Sequence, residues 1–340
     1  MASTPPDPSY AALRTALFSL PPESVHRLSI RTIAAYGRLA PRKVPAGSQP
    51  RTVMGLRFAN PVGLAAGWDK DAEAMAGAAR LGFGFLEVGT VTPRPQPGNP
   101  RPRMFRLAND GALINRLGFN NGGVERLVER VTAFRQRYAD TEVQLGINIG
   151  KNKTTPVERA VDDYLAAFTQ VAPVADYVTV NLSSPNTPGL RTLQQRDALR
   201  GLLLPLKEAQ TKLPGKPVPL AVKLAPDLEP AEIDAIAAEL LELDVDGLIA
   251  TNTTLSRPVG PSLYRDEAGG LSGEPLFELS LRTVRAFAER LEGRVPIIGV
   301  GGITRADQGQ AMLDAGAALL QIYTGFIYQG PRLVRDLARL

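Results

Sequence analysis

The sequence predicts an α/β protein, a (β/α)8 TIM barrel with an N-terminal two-helix extension. Short apolar runs rich in β-branched residues alternate with longer segments whose apolar residues recur at helical spacing. Nearly continuous apolar strands indicate a parallel sheet covered on both faces, and eight such alternations fit a closed barrel better than an open sheet. We therefore predict two parts, the extension at residues 1–43 and the barrel at residues 44–340.

The barrel elements follow from these alternations in order along the chain. The predicted strands are residues 62–66, 85–88, 143–149, 177–182, 218–224, 247–250, 295–300 and 319–323. The predicted helices are residues 71–81, 124–138, 157–171, 193–210, 231–243, 276–291, 305–315 and 331–340. In barrels of this kind the chemistry lies where strands end and β/α loops begin, so those loops are expected to carry the functional residues.

The extension is predicted to form two short amphipathic helices separated by Pro21 and Pro22. The apolar residues that share a face are Tyr10, Leu13 and Leu17 in the first helix and Val25, Leu28, Tyr36 and Leu39 in the second. The basic residues are Arg14, Arg27, Arg31, Arg38, Arg42 and Lys43, against two acids in the same segment. This combination suits an anionic membrane surface. In the alternative interpretation, both helices simply pack on the barrel and shield its core.

Composition excludes several classes of site. The chain has 340 residues, no cysteine and one histidine, so disulfides, thiolate chemistry and a multi-histidine metal centre are excluded and no metal is predicted. No apolar run is long enough to span a bilayer and the first residues do not resemble a signal peptide, so the chain is expected to stay in the cytoplasm. The net charge is +5, but the basic residues lack interleaved aromatics, which argues against nucleic-acid binding.

Polar and glycine-rich clusters follow all eight predicted strands. Residues 299–302 and 323–325 follow strands seven and eight, where such barrels often hold a phosphate on backbone N–H groups, although either cluster alone could be an ordinary tight turn. Five asparagines are expected near the barrel mouth, namely Asn115, Asn148, Asn181, Asn186 and Asn252. Neutral amides suit a planar ligand with alternating carbonyl and N–H groups, such as a pyrimidine, although asparagine also commonly caps turns.

Two lysines are placed to bind an anion. Lys223 lies inside an apolar strand, where an ammonium is costly unless an anion compensates it. Lys70 follows strand one, where the alternative is a solvated loop lysine. A pair of carboxylates suited to acid–base catalysis is not recognisable, and His26 is far in sequence from the barrel, so a Ser-His-Asp set is not expected. The sequence therefore argues against hydrolysis.

Several motifs together resemble those of the dihydroorotate dehydrogenase family. They are GLAAGWDK at residues 63–70, NRLGFN at 115–120, GINIGKN at 146–152, VNLSSPNTPGLR at 180–191, TNTT at 251–254, GLSG at 270–273 and GVGG at 299–302. The resemblance extends from about residue 10 to the end of the chain. One departure is Trp68, where the family usually has phenylalanine, tyrosine or leucine.

The resemblance also implies a class within the family. Class 1 enzymes use a cysteine as catalytic base, whereas the quinone-dependent class 2 enzymes use a serine after strand four. Because the chain has no cysteine, the resemblance implies class 2 with Ser184 as the base, which removes a proton from C5 of dihydroorotate while a hydride passes from C6 to N5 of FMN. Thr187 is expected to relay that proton. The alternative is that Ser184 is only a turn residue before Pro185.

The resemblance further implies three sets of binding residues. Substrate contacts fall on Lys70, Asn115, Arg116, Leu117, Gly118, Phe119, Asn181, Asn186, Asn252 and Thr253. FMN contacts fall on Ala66, Gly67, Lys70, Thr90, Asn148, Asn181, Lys223, Thr251, Gly273, Gly302, Tyr323 and Thr324. The quinone site falls on His26, Arg106 and Tyr323. The extension would then form the tunnel by which a membrane quinone reaches the flavin.

The function implied is oxidation of (S)-dihydroorotate to orotate in de novo pyrimidine (UMP) biosynthesis. Its expected partners are FMN, dihydroorotate and orotate, a membrane quinone and an anionic membrane surface, with the protein peripheral on the cytoplasmic side of the cell membrane and monomeric or weakly dimeric. One alternative is the same oxidation with fumarate or NAD as acceptor, which the absent cysteine and the extension oppose. Another is a non-catalytic flavin- or phosphate-binding barrel, which Ser184, Lys70 and the asparagines oppose.

Overall fold

A closed parallel barrel of eight strands forms the centre of the molecule in a computed structural model that describes residues 7–39, 49–215 and 217–340. All thirteen described strands, including five outside the barrel, are β1 (Arg51–Val53), β2 (Leu56–Phe58), β3 (Val62–Leu64), β4 (Phe85–Val91), β5 (Met104–Leu107), β6 (Ala112–Asn115), β7 (Gln144–Ile149), β8 (Tyr177–Asn181), β9 (Leu220–Leu224), β10 (Gly247–Ala250), β11 (Gly270–Gly273), β12 (Ile297–Val300) and β13 (Ala317–Ile322). The barrel order is β3, β4, β7, β8, β9, β10, β12 and β13, which closes back on β3. The predicted barrel and all eight of its strands are confirmed.

Helices surround the barrel in the predicted order. They are α1 (Pro8–Phe18), α2 (Pro22–Leu39), α3 (Met75–Arg80), α4 (Val124–Arg137), α5 (Ala160–Val171), α6 (Arg196–Thr211), α7 (Pro230–Glu242), α8 (Phe277–Leu291), α9 (Ala306–Asp314), α10 (Thr324–Gln329) and α11 (Pro331–Leu337). Helix α3 begins four residues later than predicted. The Asp69 carboxylate accepts hydrogen bonds from the backbone N–H groups of Glu73 and Ala74, and Ala72 has φ of 55°, so this segment is a turn.

Two small antiparallel sheets were missed by the sequence prediction. Strands β1 and β2 form a hairpin whose Val53 and Phe58 belong to the same apolar cluster as Phe85 and Tyr177 of the barrel. Strands β5, β6 and β11 form a three-stranded sheet beside the barrel mouth, with its own apolar cluster and with Asn115 at the end of β6. Each of these strands has only three or four residues, which is too short to show the period of two that identifies a strand.

Glycines on two barrel strands make room for aromatic rings inside the barrel. A Cβ atom at Gly63 would lie 2.3 Å from the ring of Phe85 on β4, and one at Gly146 would lie 2.2 Å from the ring of Tyr177 on β8. These rings therefore fill the space that side chains on β3 and β7 would otherwise occupy, as expected for a barrel whose interior is a packed core.

The two predicted helices of the extension are confirmed, and they are anchored to the barrel by polar contacts. Glu23 forms ion pairs with Arg103 at 2.7 Å and Arg101 at 3.0 Å. The Tyr10 hydroxyl donates to the carbonyl of Ile327 at 2.8 Å. The extension therefore covers one side of the barrel beside α3 and α10.

The apolar face predicted for α2 does not face the barrel. The residues of α2 that pack on the barrel are Ile30, Ile33, Ala34 and Gly37. In contrast, Leu13, Leu28, Tyr36 and Leu39 are exposed. The extension thus packs on the barrel and also presents a separate apolar surface. Within the described residues, no helix has the length and apolar character needed to cross a membrane. Arg42, Lys43 and the predicted boundary after residue 43 lie outside the described residues.

The close approach between α2 and α3 depends on two glycines. A Cβ atom at Gly77 would lie 1.9 Å from the carbonyl oxygen of Ile33, and one at Gly37 would lie 2.4 Å from the backbone nitrogen of Gly77. We expect Gly77→Ala to push α2 away and to destabilise the fold by about 1–3 kcal/mol. Gly201→Ala on α6 is the matched control, because a Cβ there meets no atom within 4 Å.

Thermal unfolding of the two variants checks this prediction. The control should keep or slightly raise the melting temperature, since alanine is the better helix former where space is free. Equal melting temperatures for the two variants would show that the α2–α3 contact is not tightly packed.

Candidate functional site

A deep cleft lies at the carboxyl ends of the barrel strands, where the sequence analysis predicts the site. Its empty volume is about 980 Å³, open solvent included, which is enough for two small ligands side by side. The predicted residues that line it are Ala66, Gly67, Lys70, Thr90, Asn115, Leu117, Gly118, Phe119, Asn181, Ser184, Asn186, Lys223, Thr251, Asn252, Thr253, Gly273, Gly302, Tyr323 and Thr324. The structure thus brings together nearly all of the residues predicted for substrate and cofactor.

Four predicted site residues do not line this cleft. Asn148 is fully buried behind Thr90, to which it is hydrogen bonded. Arg116 turns away to pair with Glu267 at 2.5 Å. His26 and Arg106 lie on the side of the extension.

Ser184 lies in the loop after β8 and is buried at the edge of the cleft. Its Oγ accepts a hydrogen bond from the backbone N–H of Asn186 at 3.2 Å, which leaves the hydroxyl proton free to donate elsewhere. Among the described residues, no histidine or carboxylate is hydrogen bonded to Ser184. Any base function of this hydroxyl therefore needs an outlet for its proton other than a charged partner.

Arg191, which the sequence reading did not single out, holds the Ser184 loop against the loop after β10. Its guanidinium donates to the carbonyl oxygens of Ser183 at 3.1 Å and Thr253 at 2.8 Å, and it pairs with Asp227 at 2.8 Å. These contacts join two walls of the cleft, so Arg191 helps to fix the spacing between Ser184 and the Asn252–Thr253 segment.

The cleft asparagines form hydrogen-bonded pairs. Asn186 Nδ2 donates to Asn115 Oδ1 at 3.3 Å, across from the three-stranded sheet to the Ser184 loop. Asn252 Nδ2 donates to Ser183 Oγ at 2.8 Å, and Ser183 Oγ donates to Asn181 Oδ1 at 3.0 Å. Such pairing holds each amide in one orientation, which is what recognition of a planar polar ligand requires.

Two ammonium groups, that of the half-buried Lys70 and that of the buried Lys223, give the cleft positive charge. Lys70 Nζ donates to the carbonyl of Gly67 at 2.6 Å, and burial lowers the pKa of Lys70 to about 8. Lys223 makes no side-chain hydrogen bond or ion pair with any residue that the structure describes, and burial lowers its pKa as well. An ammonium left without a partner in such a place is suited to an anionic ligand.

Glycines in the loops after β11 and β12 form a cradle at one end of the cleft. Gly273, Gly301 and Gly302 have φ of 103°, 130° and 73°. A Cβ at Gly302 would lie 2.4 Å from the backbone nitrogen of Phe277, so a larger residue would close the space. Backbone N–H groups in such loops are free to bind phosphate oxygens.

The residues present fit the FMN that the sequence resemblance implies. The glycine cradle suits its phosphate, and the unpaired Lys223 suits the part of the ring that gains negative charge on reduction. Gln321 on β13 also lines the cleft, and its buried Oε1 has no hydrogen-bond partner. An orphaned buried acceptor is costly, and a ligand N–H group would satisfy it. No group of three or more potential metal-binding side chains converges in the described part of the chain.

The three residues predicted for the quinone site do not meet in one cavity. Tyr323 lines the main cleft, with its hydroxyl 3.4 Å from the carbonyl oxygen of Gly67. Arg106 donates to the carbonyl of Phe18 at 2.8 Å, and its guanidinium lies 4.5 Å from the centre of that ring. His26 contacts the ring of Trp68 edge-on, with 5.9 Å between ring centres.

Trp68 explains part of this separation. It is buried, and its ring lies between His26 on α2 and Phe326 on α10. Burial is the main cause that lowers the pKa of His26 to about 3, and the positive charge of Lys70 is the second. This imidazole is therefore neutral at ordinary pH. The quinone tunnel stays a prediction.

Sequence and structure comparisons agree on one group of proteins. The family model described as "Dihydroorotate dehydrogenase" matches residues 50–339. A protein from Ectopseudomonas mendocina named "Dihydroorotate dehydrogenase (quinone)" is 56% identical over 335 residues, which is 96% of this chain and 97% of its own. A protein of the same name from Burkholderia pseudomallei is 55% identical over 337 residues, which is 96% of each chain.

Solved structures of DHODH from Eimeria tenella are similar throughout. The complex with ferulenol has a TM-score of 0.88 at 41% identity, covering 93% of this chain and 89% of that one. The ligand-free form has a TM-score of 0.87 at 42% identity, covering 93% of each chain. The matches include the extension as well as the barrel, because 93% of this chain cannot be covered by residues 50–339 alone.

Proposed function

This chain belongs to the dihydroorotate dehydrogenase family, and from that premise we propose that it oxidises (S)-dihydroorotate to orotate with FMN as hydride acceptor and a membrane quinone as final electron acceptor. The proposed place of this reaction is de novo pyrimidine biosynthesis. The single observation that carries the proposal is the meeting of Ser184, the asparagines and the unpaired Lys223 in one cleft beside a glycine cradle.

The proposed substrate site lies between the Ser184 loop and the three-stranded sheet. Its amides, from Asn115, Asn181, Asn186 and Asn252, supply donors and acceptors for the planar ring of dihydroorotate. Lys70 supplies a positive charge for the carboxylate. Because these groups are already held by hydrogen bonds to one another, they need little reorganisation when the substrate binds.

Ser184 is the proposed base. Its Oγ removes the proton from C5, and the hydroxyl proton it carried passes on to solvent, so no net proton stays on the side chain. Thr187, buried in the same loop, is the proposed first acceptor of that proton. When bound, FMN supplies the acceptor for the hydride that leaves C6. Lys223 would hold the cofactor at its ring, and the cradle of Gly273 and Gly302 would hold it at its phosphate.

The extension is the proposed quinone and membrane element. Its exposed Leu13, Leu28, Tyr36 and Leu39 would enter the interfacial region of the bilayer. Arg27, Arg31 and Arg38 on α2 would meet anionic headgroups. The protein would then be peripheral on the cytoplasmic side of the membrane, with the quinone entering between the extension and the barrel.

Anaerobic absorbance of the purified protein tests the oxidation. We expect a flavin spectrum that bleaches when dihydroorotate is added, with one orotate formed for each flavin reduced. A protein that carries FMN but does not bleach would support the non-catalytic barrel instead.

The pKa of Lys70 gives a prediction for substrate binding. Because its pKa is about 8 and the charged form binds the carboxylate, orotate affinity should fall by about tenfold for each pH unit above that value. Orotate titrations that follow the flavin spectrum measure this slope. Lys70→Arg stays protonated and should show a weaker but flat affinity over the same range, and a wild-type affinity that does not change would contradict the assignment.

A further inference from the structure

A carboxylate that no predicted site contains lies in the middle of the barrel. Glu87 on β4 is 1% exposed, and it accepts hydrogen bonds from Gln321 Nε2 at 2.7 Å, Asn148 Nδ2 at 2.8 Å and the Tyr177 hydroxyl at 3.0 Å. It has no ion pair with any described residue. A buried charge held only by neutral donors is expensive, which calls for a reason for its presence.

The carboxylate sets the orientation of the amide next to it. An ionised carboxylate only accepts hydrogen bonds, so the NH₂ group of Asn148 must face Glu87. Asn148 Oδ1 is therefore turned the other way, where it accepts from Thr90 Oγ1 at 2.5 Å and from Asn181 Nδ2 at 3.2 Å. The orientation of Asn148 fixes that of Asn181 in turn.

The fixed orientation of these amides extends through further hydrogen bonds to the wall of the cleft. With its Nδ2 turned toward Thr90 and Asn148, Asn181 presents its Oδ1 to the hydroxyl of Ser183 at 3.0 Å. The Ser183 hydroxyl then accepts from Asn252 Nδ2 at 2.8 Å. An uninterrupted hydrogen-bonded chain thus leads from Glu87 to the asparagines beside Ser184.

Glu87 also acts on two groups that line the cleft directly. Glu87 accepts a hydrogen bond from Gln321 Nε2. The other polar atom of that side chain, Oε1, has no partner among the described residues and is left to bind a ligand. Lys223 on β9 has no hydrogen-bond partner among the described residues, and the negative charge of Glu87 favours its protonated form.

We propose that Glu87 is a positioning residue for this site. Its carboxylate determines which way the amides of Asn148, Asn181 and Gln321 present their donors and acceptors, and its charge balances the ammonium of Lys223. The inference rests on the proposed function, since the ligands of these amides and of Lys223 are the FMN and orotate assigned there.

Four side chains surround the Glu87 carboxylate. Strands β7 and β13 contribute the neutral amides of Asn148 and Gln321, β8 the hydroxyl of Tyr177 and β9 the ammonium of Lys223. Burial and the charge of Glu87 raise the pKa of Tyr177 well above its ordinary value, so the phenol stays protonated. Lys70 also lines the cleft and has a pKa of about 8, so the FMN affinity of each protein is measured a second time with Lys70→Arg, which stays protonated over this range. In that background a change in FMN affinity at alkaline pH reports on Lys223.

FMN binding by the apoprotein tests the proposal without relying on turnover. Dissociation constants are measured between about pH 6 and pH 10 for the wild type, Glu87→Gln and the control Glu239→Gln. Glu239 on α7 is also a fully buried carboxylate, but its partners are Arg196 and Arg200 outside the barrel. It matches Glu87 in burial and not in position.

We expect Glu87→Gln to weaken FMN binding about tenfold or more at neutral pH, because its amide places a donor against the donors of Asn148, Gln321 or Tyr177. The alkaline loss of affinity should begin at lower pH than in the wild type, since the charge that favours protonated Lys223 is gone. Glu239→Gln should leave both properties unchanged. Thermal unfolding of Glu239→Gln shows how much stability is lost when a buried carboxylate is replaced, and the loss in Glu87→Gln is compared with it.

Glu87→Asp separates the orientation of the amides from the charge balance of Lys223. It also replaces Glu87→Gln as the test variant if the glutamine variant does not fold. Aspartate keeps the charge, but its side chain is one carbon shorter and its carboxylate oxygens lie farther from their partners. FMN affinity should therefore fall, while the pH at which it begins to decrease should match that of the wild type. Wild-type FMN affinity and pH dependence in a folded Glu87 variant would overturn the inference. A wild-type protein that does not bind FMN would instead overturn the proposed function.

Discussion

Replacing Ser184 with alanine should slow flavin reduction by dihydroorotate by about 10²–10⁴-fold, the usual contribution of a positioned general base. FMN and orotate affinities should stay within about twofold, because within the described part of the chain the Ser184 side chain accepts one hydrogen bond, from the backbone of Asn186. Stopped-flow reduction of the oxidised protein under anaerobic conditions measures the rate, and orotate titration measures the binding.

Ser183→Ala is the informative contrast to this variant. The Ser183 hydroxyl links Asn181 to Asn252, so its loss should disturb ligand affinity more than the limiting rate of reduction. If Ser184→Ala reduced its flavin at the wild-type rate, Ser184 would be no more than a turn residue before Pro185.

Removal of residues 1–43 should spare the reduction of flavin by dihydroorotate but impair its reoxidation by a long-chain quinone by roughly 100-fold. The loss of about 3 kcal/mol of apolar binding energy corresponds to two factors of ten. Every residue of the main cleft belongs to the barrel, so the substrate half of the reaction should continue. Separate measurement of the two half-reactions checks both parts of this expectation.

A soluble, short-chain quinone provides the control for the truncated protein. It should reoxidise the truncated and full-length proteins at similar rates, because it does not need an apolar tunnel or a membrane. Normal turnover with the long-chain quinone would contradict the role given to the extension.

The sequence predicts the barrel well because its signal is repeated. Each of the eight strands is an apolar run between amphipathic segments, and the repetition compensates for ambiguity at any one position. The hairpin of β1 and β2 and the sheet of β5, β6 and β11 have no such repetition, and their registers depend on contacts distant in sequence.

The site is predictable where chemistry is concentrated in short motifs after the strands. Glu87 gave no such signal, because a glutamate in FLEVGT reads as a polar residue of an ordinary strand. Its role depends on the side chains that four other strands, β7, β8, β9 and β13, bring around it, and only the closed barrel shows them. The role of Arg191 has no local signal either, since Ser183 lies eight residues before it and its other partners, Asp227 and Thr253, come from the loops after β9 and β10.

The choice of electron acceptor tests the central proposal most directly. The protein is reduced anaerobically with dihydroorotate and then mixed with a ubiquinone analogue, NAD or fumarate in separate experiments, while flavin absorbance is followed. We predict that the absorbance recovers with the quinone and stays bleached with NAD and fumarate. Recovery with NAD or fumarate and none with the quinone would contradict the quinone-linked function.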